Sequence, residues 1–248
     1  MRWIYLSPHF DDAVLSCGGL IFEQSHQGQA VEIWTIFAGD APEAPLSPLA
    51  QRCHVDWGIP DPHTLVAVRR EEDQAAAAIV GAKTVHFSLP DCIYRLSAQG
   101  DPLYPEEVFV PFHPFDLGLD ADIAAVLAAE LAAQDILVAP LAIGEHVDHR
   151  LTRLAAERLK RPLRYYADIP YVLRRPELLA PATQGMQPER YPVSEEGLQA
   201  WLEGSAAYQT QMGMVFESEA KMRAAVRIEW ESRHGIDLTH YQFPQRRI

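Results

Sequence analysis

Two hydrophobic rhythms alternate along the first two thirds of the chain. Trp3 to Leu6 (WIYL) is a short unbroken apolar run rich in strand formers and bounded by Ser-Pro. Such a run predicts a buried parallel strand. From Asp11 to Gln27 the apolar positions Val14, Leu15, Leu20, Ile21 and Phe22 recur at helical spacing, with Gly28 as the stop. Val31 to Phe37 (VEIWTIF) predicts the next strand. Together these form a β-α-β unit, which requires a right-handed crossover. The alternation continues with a helix over Arg69 to Val80, ended by Gly81, and a strand over Thr84 to Leu89. An Ala/Leu-rich helix over Asp120 to Ala133, a strand over Asp135 to Leu141, a helix over His146 to Leu159 and a strand over Leu163 to Tyr171 follow. Strands alternating with helices predict an α/β fold, an open and mostly parallel sheet with helices on both faces.

Two stretches break the rhythm. Gly39 to His63 is rich in Pro and Asp and reads as a loop with a short helix around Ser47 to Trp57. Loops 39–68 and 92–119 are long enough to be functional, and they would shape a pocket. After Pro176 a Pro-, Gln- and Glu-containing loop runs to Pro192, and two helices follow, over Ser194 to Met212 and Ser218 to His234. The expected organisation is a single domain over 1–248, with a core of about 1–175 and a helical C-terminal part of about 176–248.

Composition narrows the partners. The 248 residues are 48% apolar and 22% charged, ordinary for a globular protein. The formal net charge of -13 repels nucleic acid and anionic membrane, so neither is expected as a general partner. No apolar run approaches the roughly 18 residues of a membrane span. The N-terminus MRWIYLSPHF lacks the long apolar region and small-residue cleavage site of a signal peptide. Three cysteines, Cys17, Cys53 and Cys92, form no C-x-x-C, which fits a reducing cytoplasm. The oligomeric state is left open, a homo-oligomer included.

The chemistry concentrates in two clusters. PHFDD places His9, Asp11 and Asp12 just after the first strand, and GEHVDHRLT places His146, Asp148 and His149 just after the fourth. In open α/β sheets ligands bind at that carboxyl edge. The six side chains should converge if the strands ending near Ser7 and Leu141 lie side by side and parallel. An aspartate after a strand can also be only a helix cap. Two such clusters at equivalent strand ends favour a site. Two imidazoles and a carboxylate suit Zn²⁺ with an open position for water, and equally a non-haem Fe²⁺ triad. The remaining groups are the surplus that metal-assisted hydrolysis needs for its base and acid.

PHFDD plus HVDH resembles the LmbE-like/PIG-L family of zinc-dependent de-N-acetylases. Arg69-Arg70-Glu71-Glu72 with the Ala-rich helix to Gly81, Leu89-Pro90-Asp91, and Tyr208-Gln209-Thr210-Gln211 resemble further elements of that family, so the likeness spans most of the chain. The resemblance implies a Rossmann-like α/β fold and one Zn²⁺ held by His9, Asp12 and His149. It implies Asp11 as the general base. His146 would stabilise the oxyanion or protonate the amine, with Asp148 orienting it. Arg69 and Asp91 match positions that hold sugar hydroxyls. The implied partner is a small N-acetylated amino sugar or glycoconjugate, and the implied reaction is removal of its acyl group. Residue 13 is Ala where many relatives carry an acidic residue. Gly144 stands where some carry a Tyr, which leaves open what assists at the oxyanion.

A non-catalytic metal- or sugar-binding module would have no need of Asp11 and His146. An iron enzyme using the same triad would sit more naturally on a β-barrel. Phe112-His113-Pro114-Phe115-Asp116 mimics the first motif without a strand before it and reads as a loop. His54, His63 and His86 read as surface or structural histidines, Cys17 as a small core residue, and Gly18-Gly19 as a site of close helix-sheet packing.

Overall fold

The computed structural model describes residues 1–241. The predicted alternation is present: β1 (Arg2–Ser7), α1 (Asp12–His26), β2 (Ala30–Thr35), α2 (Pro48–Trp57), α3 (Pro62–Val80) and β3 (Lys83–His86) come first. Then follow α4 (Leu119–Glu130), β4 (Ile136–Pro140), α5 (Val147–Arg158), β5 (Leu163–Tyr166), α6 (Tyr171–Arg174) and α7 (Leu179–Ala182). The chain continues through β6 (Gln187–Pro192), α8 (Glu195–Ala206), α9 (Gln209–Phe216), α10 (Glu219–Arg233) and β7 (Gly235–Tyr241).

The strands form one sheet in the order β3-β2-β1-β4-β5-β7-β6. The first five are parallel, and β7 runs antiparallel to both β5 and β6. β1 pairs in parallel with β2 and β4, as the convergence of the two motifs requires, and Tyr5 stands between Ile33 and Val138. From β1 the chain builds outward to β3, then crosses back and restarts on the other side with β4. The loops leaving β1 and β4 therefore diverge and open a crevice between them. Ile4, Tyr5 and Leu6 have no exposed surface. Their run is unbroken because both sheet faces are covered.

Helices α1, α3 and α8 pack together, as do α4 and α5. Gly18 and Gly19 make the α1–α8 contact possible. A Cβ on Gly18 would lie 2.7 Å from the Trp201 ring, and one on Gly19 2.8 Å from Val193. The close neighbour is thus the C-terminal helix and not the sheet expected from sequence.

Other boundaries differ from expectation for local reasons. α3 begins at Pro62 and not Arg69, because Asp61 caps the Thr64 N–H and proline is preformed for a first turn. The helix expected over Ser194 to Met212 breaks at Tyr208, whose hydroxyl donates to Asp73 in α3 at 2.9 Å. The strand expected to run to Tyr171 stops at Tyr166. The C-terminal part is helical as expected and also gives the sheet β6, read from sequence as loop, and β7. No helix of the described residues is long and apolar enough to cross a membrane.

Candidate metal centre and active-site cleft

After β1 the chain turns tightly into α1. Ser7 Oγ accepts the Ala13 N–H at 3.0 Å, and Asp12 accepts the backbone N–H of His9 at 2.8 Å. Asp11 stands at the N-cap position and makes no side-chain cap bond. Its carboxylate is left for other work, although the residue is buried. After β4 the pattern repeats. His146 caps α5, its Nδ1 accepting the Asp148 N–H at 3.2 Å, and His149 sits one turn in.

The two turns meet. His9 Nδ1 lies 3.4 Å from Asp12 Oδ2, and His149 Nε2 lies 3.3 Å from Asp12 Oδ1. Ligand atoms from His9, Asp12 and His149 fall within 4.8 Å of one another. The far nitrogen of each imidazole is held by a second carboxylate. His9 Nε2 donates to Asp148 at 3.1 Å, and His149 Nδ1 donates to Asp168 at 2.8 Å. In the neutral rings those bonds fix the tautomers, so each ring would turn a lone pair toward Asp12 once a metal displaces the proton that the carboxylates otherwise favour there. This is the outer shell that metal-binding histidines have. Burial opposes a charged His149, yet Asp12 and Asp168 outweigh it and raise its pKa to about 9. The site favours positive charge, and its N/O donor set fits a divalent ion such as zinc.

Asp11 and His146 flank this centre. Burial and the adjacent Asp12 push the Asp11 carboxyl up to about 6, against Arg69 and His9. That value suits a proton acceptor working near neutrality. Burial and the neighbouring His9 and His149 hold His146 well below the ordinary imidazole value. It is neutral, its Nδ1 is an acceptor, and its proton therefore sits on Nε2.

Every candidate residue except Asp148 lines one cleft of about 360 Å³, within the range of small-molecule sites. Arg69 is wedged between the rings of Phe10 and Trp57, each centroid 5.3 Å away. Its guanidinium lies 3.6 Å from Asp11 and 3.9 Å from Asp91, and its Nε has no partner among the described residues. Asp91 accepts the Ile93 N–H at 3.2 Å and keeps its other oxygen 3.7 Å from His9.

Asp148 is hydrogen-bonded to His146 only through its backbone N–H, although its carboxylate lies within 4.8 Å of a His146 nitrogen. Its carboxylate faces His9, accepts the Cys92 N–H at 2.9 Å, and lies 2.7 Å from Arg95 in a Coulombic contact. Burial alone would raise its pKa, but Arg95 and His9 hold it well below the usual carboxylate range. Arg95 and Tyr104 both donate to Asp116, at 2.8 and 2.7 Å. The loop 92–119 is thereby tied to the metal centre. His113 caps the short turn Pro114–Asp116 and does not line the cleft. His54 bonds Ile59 and Tyr94, His86 bonds Asp73, and Cys17 is fully buried, all in structural settings.

Asp168, Arg95 and the cleft-lining Phe109 and Tyr171 were missed from sequence. Asp168 follows β5 at the same carboxyl edge as the two motifs. Ending that strand at Tyr166 would have brought it into view.

The PIG-L family model, described as GlcNAc-PI de-N-acetylase, matches residues 4–160. The 2'-N-acetylparomamine deacetylase of Niallia circulans is 30% identical over 239 residues, 89% of this chain and 84% of its own. A teicoplanin deacetylase solved in a zinc-inhibited form is 29% identical, with a TM-score of 0.83 over 99% of this chain and 100% of that one. The N,N'-diacetylchitobiose deacetylase of Pyrococcus horikoshii shares the fold at 17% identity and a TM-score of 0.57, covering 97% of this chain and 84% of that one. The chain belongs to the PIG-L family of zinc-associated de-N-acetylases, the family its two His/Asp motifs resemble, and is a metal-dependent amidohydrolase.

Proposed function

We propose that this protein removes the acetyl group from the N-acetylated amino sugar of a glycoside or glycoconjugate, using one zinc ion per chain. The observation that carries this reading is the meeting of His9, Asp12 and His149 in one cleft, with Asp11 beside them making no cap bond. His9 Nδ1, Asp12 and His149 Nε2 would hold the metal. When bound there, zinc polarises the amide carbonyl and makes a water acidic near neutral pH. Asp11 accepts the proton of the attacking water and can return it to the amine nitrogen as the C–N bond breaks. His146 Nε2–H donates to the oxygen that becomes negative, where a preplaced dipole counts most. Arg69 and Asp91, next to Asp11, bind sugar hydroxyls. Asp148 holds the tautomer of His9 by a direct bond and acts on the nearby His146 through its charge.

The described part of the C-terminal region supports a single domain, since α9 brings Gln211 and Met214 to the cleft. The three free cysteines, two of them buried, favour the cytoplasm. The similar proteins act, by name, on an aminoglycoside precursor, a glycopeptide and a chitin disaccharide, which sets the assay panel. Acetate release from N-acetylparomamine, an N-acetylglucosaminyl glycopeptide and diacetylchitobiose should be detected with one of them. It should vanish with a chelator and return with one equivalent of zinc. Full activity in metal-free protein, or no release from any N-acetylated sugar, would reject this function.

A further inference from the structure

A tyrosine hydroxyl in a protein interior is normally hydrogen-bonded. Seven tyrosines here obey that rule: Tyr5, Tyr94, Tyr104, Tyr165, Tyr166, Tyr191 and Tyr208 each bond through the hydroxyl. Tyr171 is the exception among the tyrosine side chains described. It is half-buried, lines the cleft, and its hydroxyl has no partner among the described residues. Its ring is nevertheless tightly placed. It meets His149 edge-on at 5.4 Å and Phe109 at 6.1 Å, and Phe109 in turn meets His146 at 5.6 Å. Gly144 makes room for it, because a Cβ there would lie 2.2 Å from the Tyr171 ring. Asp168, which holds His149, is three residues upstream in the same turn. A fixed ring with a free phenol, set between a metal-site histidine and the wall that carries His146, points to a ligand.

We infer that Tyr171 is a catalytic residue whose hydroxyl donates a hydrogen bond to the amide oxygen of the substrate as that oxygen becomes an oxyanion, sharing the task with His146. The phenol stays protonated at neutral pH, so it gives a hydrogen bond and transfers no proton. This rests on the deacetylase reading of the cleft. It adds a donor that neither sequence motif contains.

The test uses the zinc-loaded full-length chain. Tyr171→Phe removes one oxygen and leaves the ring packing in place. Its kcat should fall about 10²-fold, as for loss of one oxyanion donor, with KM and zinc content unchanged. A tetrahedral methylphosphonamide analogue of the amino sugar should lose affinity by a similar factor, measured by calorimetry, while the deacetylated amine binds as before. Gly144→Ala, which displaces the ring, should lower kcat in the same direction. A Tyr171→Phe variant with kcat within twofold, with only KM raised, or with unchanged affinity for the analogue would overturn the inference. Failure of the wild-type protein to release acetate would instead overturn the deacetylase reading, and analogue binding would still decide on Tyr171.

Discussion

Two clusters of buried charge meet α3 one turn apart, a back one at Asp73 and a front one at Arg69, and they use similar side chains to opposite ends. In the back cluster, Asp73 is fully buried and accepts from His86 at 2.7 Å, from Tyr208 at 2.9 Å and from Thr35 at 3.3 Å. Burial still leaves its pKa raised. It joins α3, β2, the end of β3 and the start of α9. In the front cluster, the cleft gathers Asp11, Asp12 and Asp91 around Arg69 and three histidines. Here Arg69 Nε and the Tyr171 hydroxyl have no protein partner among the described residues, and Asp11 caps nothing. Satisfied buried polar groups hold a fold together, whereas unsatisfied ones facing a cavity wait for a ligand.

Mutations can break that distinction. The largest effect is expected for Asp12→Ala, which should lose zinc and activity together by more than about 10³-fold, read by metal analysis and acetate release. Retention of both would make the front cluster structural too. Asp11→Asn should keep zinc while kcat falls about 10²–10⁴-fold. In the wild-type protein kcat/KM should rise with pH as Asp11 gives up its proton, at or below the value of about 6 of the metal-free site because a bound divalent ion favours the carboxylate. A flat profile from pH 4 to 7 would count against Asp11 as the base.

Asp168→Asn sharpens the comparison, because it alters a carboxylate that, among the described residues, hydrogen-bonds only His149 and the Ile143 N–H. Zinc affinity should weaken about 10–100-fold in competition with a chromophoric chelator, with the metal-free melting temperature little changed. Asp73→Ala should do the reverse. It strands three buried partners and should cost about 3 kcal/mol, lowering Tm by roughly 5–10 °C, with kcat retained well below the melt. Loss of zinc in this variant would erase the boundary between the clusters.

The smallest effect concerns a third pair, at the opposite edge of the sheet. The hydrogen bond from Arg2 holds the Asp135 carboxyl down at about 2. Arg2 is partly exposed, so the pair should contribute only about 1 kcal/mol. A depressed carboxylate stabilises above its ordinary value near 4. The stability gap between wild type and Asp135→Asn should therefore be full at pH 6 and close as pH falls from about 4 toward 2. A gap that widened in acid would show the sign to be wrong.

The front cluster was largely legible in the sequence, and the back one was not. WIYL and DILVAPL announce β1 and β4 by composition alone, and each is followed at once by its His/Asp motif. Such signals are local. What remained hidden depends on distant partners. Asp148 reads as a companion of His146 along the chain, but Arg95 draws its carboxylate toward His9. Tyr208 breaks a helix that its own neighbours would continue, because Asp73 is there to receive it. β6 carries Pro188 and Pro192 and too little apolar alternation to read as a strand. It is a strand because β7 pairs with it along its length.

That pairing has a consequence for how the molecule is made. β7 fills the gap between β5 and β6, yet it is translated after both. Until residues 235–241 leave the ribosome, β5 presents an open edge and β6 has no sheet neighbour. An open edge can recruit a strand from another chain. The interval between synthesis of β5 and of β7 is therefore the nascent protein's period of greatest exposure to misassembly. Emergence of residues 235–241, and not completion of the half that carries the two His/Asp motifs, would close it.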